Sequence, residues 1–193
     1  MKIVLCGPPR SGKSCLREGL KQAIRRVPNA PYPYVITACP DGEGAWFQET
    51  VNADPELAAK CKTAYKSKFT AEFVQRVADS VKNCLLPLTL VDIGGIPSVE
   101  NEAICASATH AILLAGDMSR LPEWHEFCGK LGLRIIAEIH SDYRGAEDNI
   151  PQLGEDGVYR GSVHFLERGE PVQERPTVKV LAEILVRMAN ERE

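Results

Sequence analysis

Three short stretches of this chain hold residue types and spacings that can do chemistry on a phosphate. The first is GPPRSGKS, residues 7–14, which satisfies G-x-x-x-x-G-K-[ST] in full. That spacing suits a loop whose successive backbone N–H groups converge on a phosphate, with a helix N-terminus behind them adding about half a unit of positive charge. On this reading Gly7, Pro8, Pro9, Arg10, Ser11 and Gly12, with Cys15 just beyond, form the cradle of a nucleoside triphosphate. Lys13 contacts the β and γ phosphates and stabilises transition-state charge, and the Ser14 hydroxyl ligates Mg²⁺. An accidental turn rich in Gly and Pro is the plainer alternative; the apolar run before the stretch and the helical pattern after it argue against that.

The second stretch is LTLVDIGG, residues 88–95. A metal held by a triphosphate needs a carboxylate from a neighbouring strand end, and Asp92 closes an apolar, β-favouring run where ligands of parallel sheets bind. An Asp that merely caps the next turn is the alternative. Asp92 is followed by Ile93 rather than by the Glu that ATP-driven motors use to activate water, which argues against a fast mechanical ATPase. Asp-x-x-Gly instead lets the backbone N–H of Gly95 sense a γ-phosphate. No Asn-Lys-x-Asp occurs, so ATP is expected rather than a guanine nucleotide.

The third stretch is ACPDGEGAWFQET, residues 38–50. It follows a strand that ends at the same edge, so Asp41 and Glu43 are candidates for a catalytic base or for positioning the attacking group, with Trp46 covering a base. An Asp-Gly turn with an anchoring Trp explains the same residues without chemistry. Lys60, Lys62, Lys66 and Lys68 read as a solvated face, and the four histidines are dispersed. Arg10 inside the loop and Arg120 and Arg144 beyond strand ends are further candidates to approach phosphates, with a plain surface position as the alternative, and Asp117 and Asp142, after the fourth and fifth strands, are candidates for a ribose or base edge.

The elements that must position these residues alternate. Strands are expected at residues 2–6, 34–39, 88–95, 110–116 and 133–140, and helices near 13–26, 55–66, 70–84, 98–108, 122–132 and at the C-terminal end around Leu181 to Met188. Residues 157–166 read as a short β pair. Strands alternating with helices imply a parallel sheet covered on both faces, a three-layer α/β/α sandwich of the P-loop NTPase type with about five parallel strands and that pair near the C-terminus.

Composition sets outer limits. A length of 193 residues suits one domain over 1–193, and 44% hydrophobic with 25% charged residues is ordinary globular content. A net charge of −3 provides no overall basic field for duplex nucleic acid. Seven cysteines without a Cys-x-x-Cys pair read as reduced thiols. The first seven residues are too short for a signal peptide, and no apolar run approaches the ~20 residues of a membrane span, so a cytoplasmic protein is expected.

GPPRSGKS, ACPDGEGAWFQET, KFTAEFV, LTLVDIGG and AEIHSD together resemble one family, the P-loop domain, labelled AAA, that is fused to a ring nuclease of type III CRISPR antiviral defence systems. The resemblance runs from Met1 to about Arg168. It implies ATP binding and a setting in cyclic-oligoadenylate signalling, with a ring-nuclease domain or a cyclic oligoadenylate as partner; the label also implies homo-oligomers. Motor and nuclease activities are not carried over, because the Glu after Asp92 is missing and every element above belongs to one sandwich. Three functions stay open: a slow Mg²⁺-ATPase or phosphotransferase, a small-molecule kinase for a nucleoside or nucleotide, and a non-catalytic nucleotide-gated module.

Overall fold

The computed structural model describes residues 1–39 and 69–191. Asp41, Glu43, Trp46, the lysines at 60 to 68 and the helix expected near 55–66 lie outside the described residues. Among the described residues, seven strands form one sheet: β1 (Lys2–Cys6), β2 (Pro33–Thr37), β3 (Leu88–Asp92), β4 (His110–Ala115), β5 (Arg134–Asp142), β6 (Asn149–Leu153) and β7 (Tyr159–His164). Their order is β2-β3-β1-β4-β5-β7-β6. Every pairing is parallel except β6 against β7. The helices are α1 (Lys13–Ile24), α2 (Ala71–Asn83), α3 (Val99–Cys105), α4 (Leu121–Leu131) and α5 (Pro176–Asn190), with single 3₁₀ turns at Met118–Arg120 and Val172–Glu174.

Strand β1 shows why the sheet is covered on both sides. Its residues Ile3, Val4, Leu5 and Cys6 are all fully buried, and alternation along a strand sends them to opposite faces. Ile3 and Leu5 join one core with Leu16, Leu20 and Ile24 of α1 and Leu181, Ile184 and Leu185 of α5. Val4 and Cys6 join the other, with Val77 and Val81 of α2, Ile104 of α3 and Trp124 and Phe127 of α4. Each fully buried aliphatic side chain contributes roughly 1.5–3 kcal/mol, so the strand that carries the glycine-rich loop is anchored from both faces.

Two expectations need correction. Among the described residues the sheet has seven strands rather than five plus a separate pair: β7 extends the parallel sheet, with Ile139 opposite Gly161 and Ser141 opposite Val163. The span 157–166 is accordingly one strand, and its antiparallel partner β6 begins at Asn149. Pro151 inside β6 hid it, since a proline suggests a loop until the strand is known to lie at the sheet edge, where a missing N–H is tolerated.

Candidate functional site at the C-terminal edge of the sheet

Parallel pairing brings the C-terminal ends of β1, β2, β3, β4, β5 and β7 to one edge of the sheet. Leu5 lies opposite Asp92, and Asp92 opposite Thr37, so the end of β3 sits between the start of the 7–14 loop and the end of β2. The loop turns by left-handed backbone at Arg10 (φ 63°) and Gly12 (φ 85°), the latter being the N-cap residue just before α1. Positive-φ residues interspersed with ordinary ones curl main-chain N–H groups into a concave nest that suits an anion. Gly7 has no alternative, because a Cβ there would stand 1.9 Å from the carbonyl oxygen of Leu114.

Lys13 and Ser14 open α1. Lys13 Nζ donates to the carbonyls of Gly7 (2.7 Å) and Pro8 (2.9 Å), which holds the ammonium over the loop. Burial lowers its pKa from the ordinary lysine value, against the opposing pull of Asp92, Cys39 and Cys6. Ser14 Oγ donates to Asp92 Oδ2 at 3.0 Å, a contact between residues 78 apart in sequence. Asp92 is 3% exposed. Burial raises its carboxyl pKa, and Arg17, the Ser14 hydroxyl and Lys13 each oppose that rise.

Gly95 closes the cleft from the β3 side. A Cβ at Gly95 would stand 2.5 Å from the Pro9 nitrogen and 2.8 Å from Pro9 Cα, so the 93–98 loop touches the 7–14 loop backbone to backbone. The N-terminus of α3 secures that loop: Asn101 Nδ2 donates to the carbonyl of Ile96 (2.8 Å), and Ser98 caps the helix by accepting from Asn101 N (3.3 Å). The resulting cavity has a volume of about 350 Å³ and is lined from Pro9 to Cys15, by Cys39, by Asp92 to Gly95, and by Tyr143, Leu166, Glu167 and Arg168.

The structure therefore brings Gly7 to Cys15, Asp92 and Gly95 together. It also adds residues that the sequence did not single out. Arg17 Nη1 lies 3.5 Å from Asp92 Oδ2 and donates to Thr37 Oγ1 at 3.3 Å. Its place one helical turn past Ser14 was the available signal, but it means nothing until the ends of β2 and β3 are known to lie alongside. Glu167 and Arg168 follow β7, whose span was misassigned. Conversely, Arg120 is paired with Glu123 (2.6 Å), Asp117 caps the adjacent 3₁₀ turn by accepting from Ser119 N (3.0 Å), and neither lines the cleft. His125 and His164 pair with Glu138 and Asp148 and do not line it either.

The donor set fits a polyphosphate carrying a divalent cation. Among the described residues no three His, Cys, Asp or Glu side chains form a cage of their own. Ser14 and Asp92 instead present two hard oxygens, and Mg²⁺ characteristically takes one or two protein ligands and completes its shell with phosphates and water. Ser11 supports an anion beside them: it is 4% exposed, lines the cleft, and its buried Oγ has no hydrogen-bond partner. Such an unpartnered buried hydroxyl costs about 1–3 kcal/mol unless a ligand satisfies it. No protein-family model matches the chain, and no curated protein matches it.

Proposed function

We propose that the chain is a P-loop protein that binds Mg²⁺-ATP at residues 7–15 and turns it over slowly by hydrolysis or phosphotransfer. The observation that carries this reading is the 3.0 Å hydrogen bond from Ser14 to Asp92, which joins the helix behind a phosphate-type loop to an acid on the neighbouring strand. Ser14 and Asp92 would hold Mg²⁺, which supplies charge neutralisation for the transferred phosphoryl group. Lys13, poised over the loop, would exchange its carbonyl partners Gly7 and Pro8 for phosphate oxygens. The loop N–H groups orient the phosphates, and the buried Ser11 hydroxyl gains a partner. Asp41 or Glu43 would orient the attacking water or hydroxyl. On the resemblance of the quoted motifs alone, the setting proposed is CRISPR-associated cyclic-oligoadenylate signalling.

A second reading, a nucleotide-gated docking element, is favoured by the 93–98 loop. Gly95 rests on Pro9 while Ile96 and Val99 beside it are 62% and 71% exposed, so a phosphate-driven shift of the loop would rearrange an apolar surface. One experiment separates the two. The purified chain and its Lys13→Ala variant are incubated with Mg²⁺-ATP and a panel of nucleotides that includes cyclic oligoadenylates, with ADP release and labelled products followed together. Turnover that disappears in Lys13→Ala is expected; tight binding with no product in any mixture favours the gate, and turnover unchanged in the variant overturns the assignment of the loop.

A further inference from the structure

We propose that Arg17 is a positioning residue that holds the Asp92 carboxylate and gives it up when a cation arrives, passing its own hydrogen bond to Thr37. The proposal rests on the Mg²⁺-ATP reading above and adds to it a competitor for the metal built into the chain. Arg17 lies one turn past Ser14 on α1, so the two side chains reach out on the same side of the helix. Asp92 Oδ2 meets both of them: Ser14 Oγ at 3.0 Å and Arg17 Nη1 at 3.5 Å. The carboxylate oxygen best placed beside Ser14 to take a cation is therefore the one that the guanidinium already faces. Both groups are shielded from water, with side-chain exposures of 14% for Arg17 and 4% for Asp92, so their charges act on each other and on a third charge with little screening.

Hydrogen bonds do not lock Arg17 in this place. A charge-assisted N–H···O bond runs about 2.7–2.9 Å, and the approach to Asp92 is looser than that. The same Nη1 donates to Thr37 Oγ1 at 3.3 Å, and the buried Nε has no partner. One nitrogen is thus divided between two acceptors and bonds neither at short range. Arg160 shows the opposite arrangement: its three nitrogens grip Glu138 at 3.0 and 3.2 Å and Asp156 at 2.8 and 2.7 Å.

Thr37 is placed for the exchange. It ends β2 directly opposite Asp92, and the next residue ties the two strand ends together, since Ala38 N donates to the Asp92 carbonyl at 2.8 Å. A positive charge on Oδ2 repels the guanidinium, whose Nη1 then closes on Thr37 Oγ1. Arg17 also borders the cavity on the flank of α1, where the released charge can be hydrated. The competition makes Asp92 a poor ligand for a bare cation and favours one that arrives already carried by phosphates.

Calorimetric titration of the full chain with ATP, once with Mg²⁺ and once with the cation chelated, gives the factor by which Mg²⁺ strengthens binding. Arg17→Met removes the competing charge and should raise this factor about fivefold or more, the scale for two unit charges about 4 Å apart under full water screening. Thr37→Val leaves every charge in place but deprives the released guanidinium of its acceptor, so the factor should fall about threefold. A guanidinium that served packing alone would move both ATP affinities together and leave the factor as it is, and one that merely attracted phosphates would be indifferent to Thr37→Val. Cooperative thermal unfolding checks that each variant is folded; if Arg17→Met is not, Thr37→Val decides. An unchanged or smaller factor in folded Arg17→Met, or an unchanged or larger one in Thr37→Val, overturns the inference and leaves the Mg²⁺-ATP site standing. A natural chain that does not bind ATP, or binds it equally with and without Mg²⁺, overturns the Mg²⁺-ATP reading and this inference with it.

Discussion

Asp92 serves two opposed demands. A metal needs its carboxylate ionised, but burial raises its pKa above the ordinary 3.8 even though Arg17, Ser14 and Lys13 pull the other way. A folded pKa above the unfolded one means that the group stabilises the fold most when protonated, below the unfolded pKa, and that this contribution is lost as pH rises through the folded value. Asp92→Asn fixes the uncharged form. The thermal midpoint of the natural chain should therefore fall relative to Asp92→Asn as pH is raised from about 3.5 to about 7; a difference that stays constant would show that Arg17, Ser14 and Lys13 cancel desolvation, and one that moves the other way that they outweigh it. On the proposed reading, a cation bound there would relieve the same cost, which would favour metal-bound nucleotide. Lys13, Ser14 and Asp92 were legible in the sequence because each belongs to a short local pattern. Arg17 and Glu167 were not, because their meaning depends on which strand ends become neighbours.

At the scale of elements, the loops at the sheet edge are held by contacts that leave no room for side chains. Gly95→Ala would drive a methyl into the backbone of Pro8 and Pro9, with 2.5–2.9 Å between the new carbon and its nearest neighbours. Overpacking of this kind costs about 1–3 kcal/mol. It should also move the 7–14 loop off its phosphate geometry, so denaturant unfolding should register the loss in stability and Mg²⁺-ATP titration a weakening of at least about tenfold. A variant that unfolds and binds like the natural chain would contradict the close approach of the two loops. The strands that carry these loops were readable from apolar runs such as KIVLC and LTLVD that stop at a Gly or an Asp. The β6–β7 pairing was not, since Asn149–Leu153 holds a proline and only one buried residue, and its identity as a strand comes from β7 rather than from its own sequence.

Across the molecule, the order β2-β3-β1-β4-β5-β7 with every pair parallel brings the C-terminal ends of these strands to one sheet edge, where the candidate site lies. The cores on either side fix β1 and α1, so the 7–14 loop is held at both of its ends. No helix among the described residues is long and apolar enough to cross a membrane. The central claim, that this edge binds a metal-nucleotide complex, is tested most directly by titrating the full chain with ATP calorimetrically in the presence and in the absence of Mg²⁺. One saturable site is expected, with affinity falling at least about tenfold when Mg²⁺ is withdrawn, because Ser14 and Asp92 would then lack the cation through which they would hold the phosphates. Absence of binding, or binding that is the same with and without Mg²⁺, would contradict it.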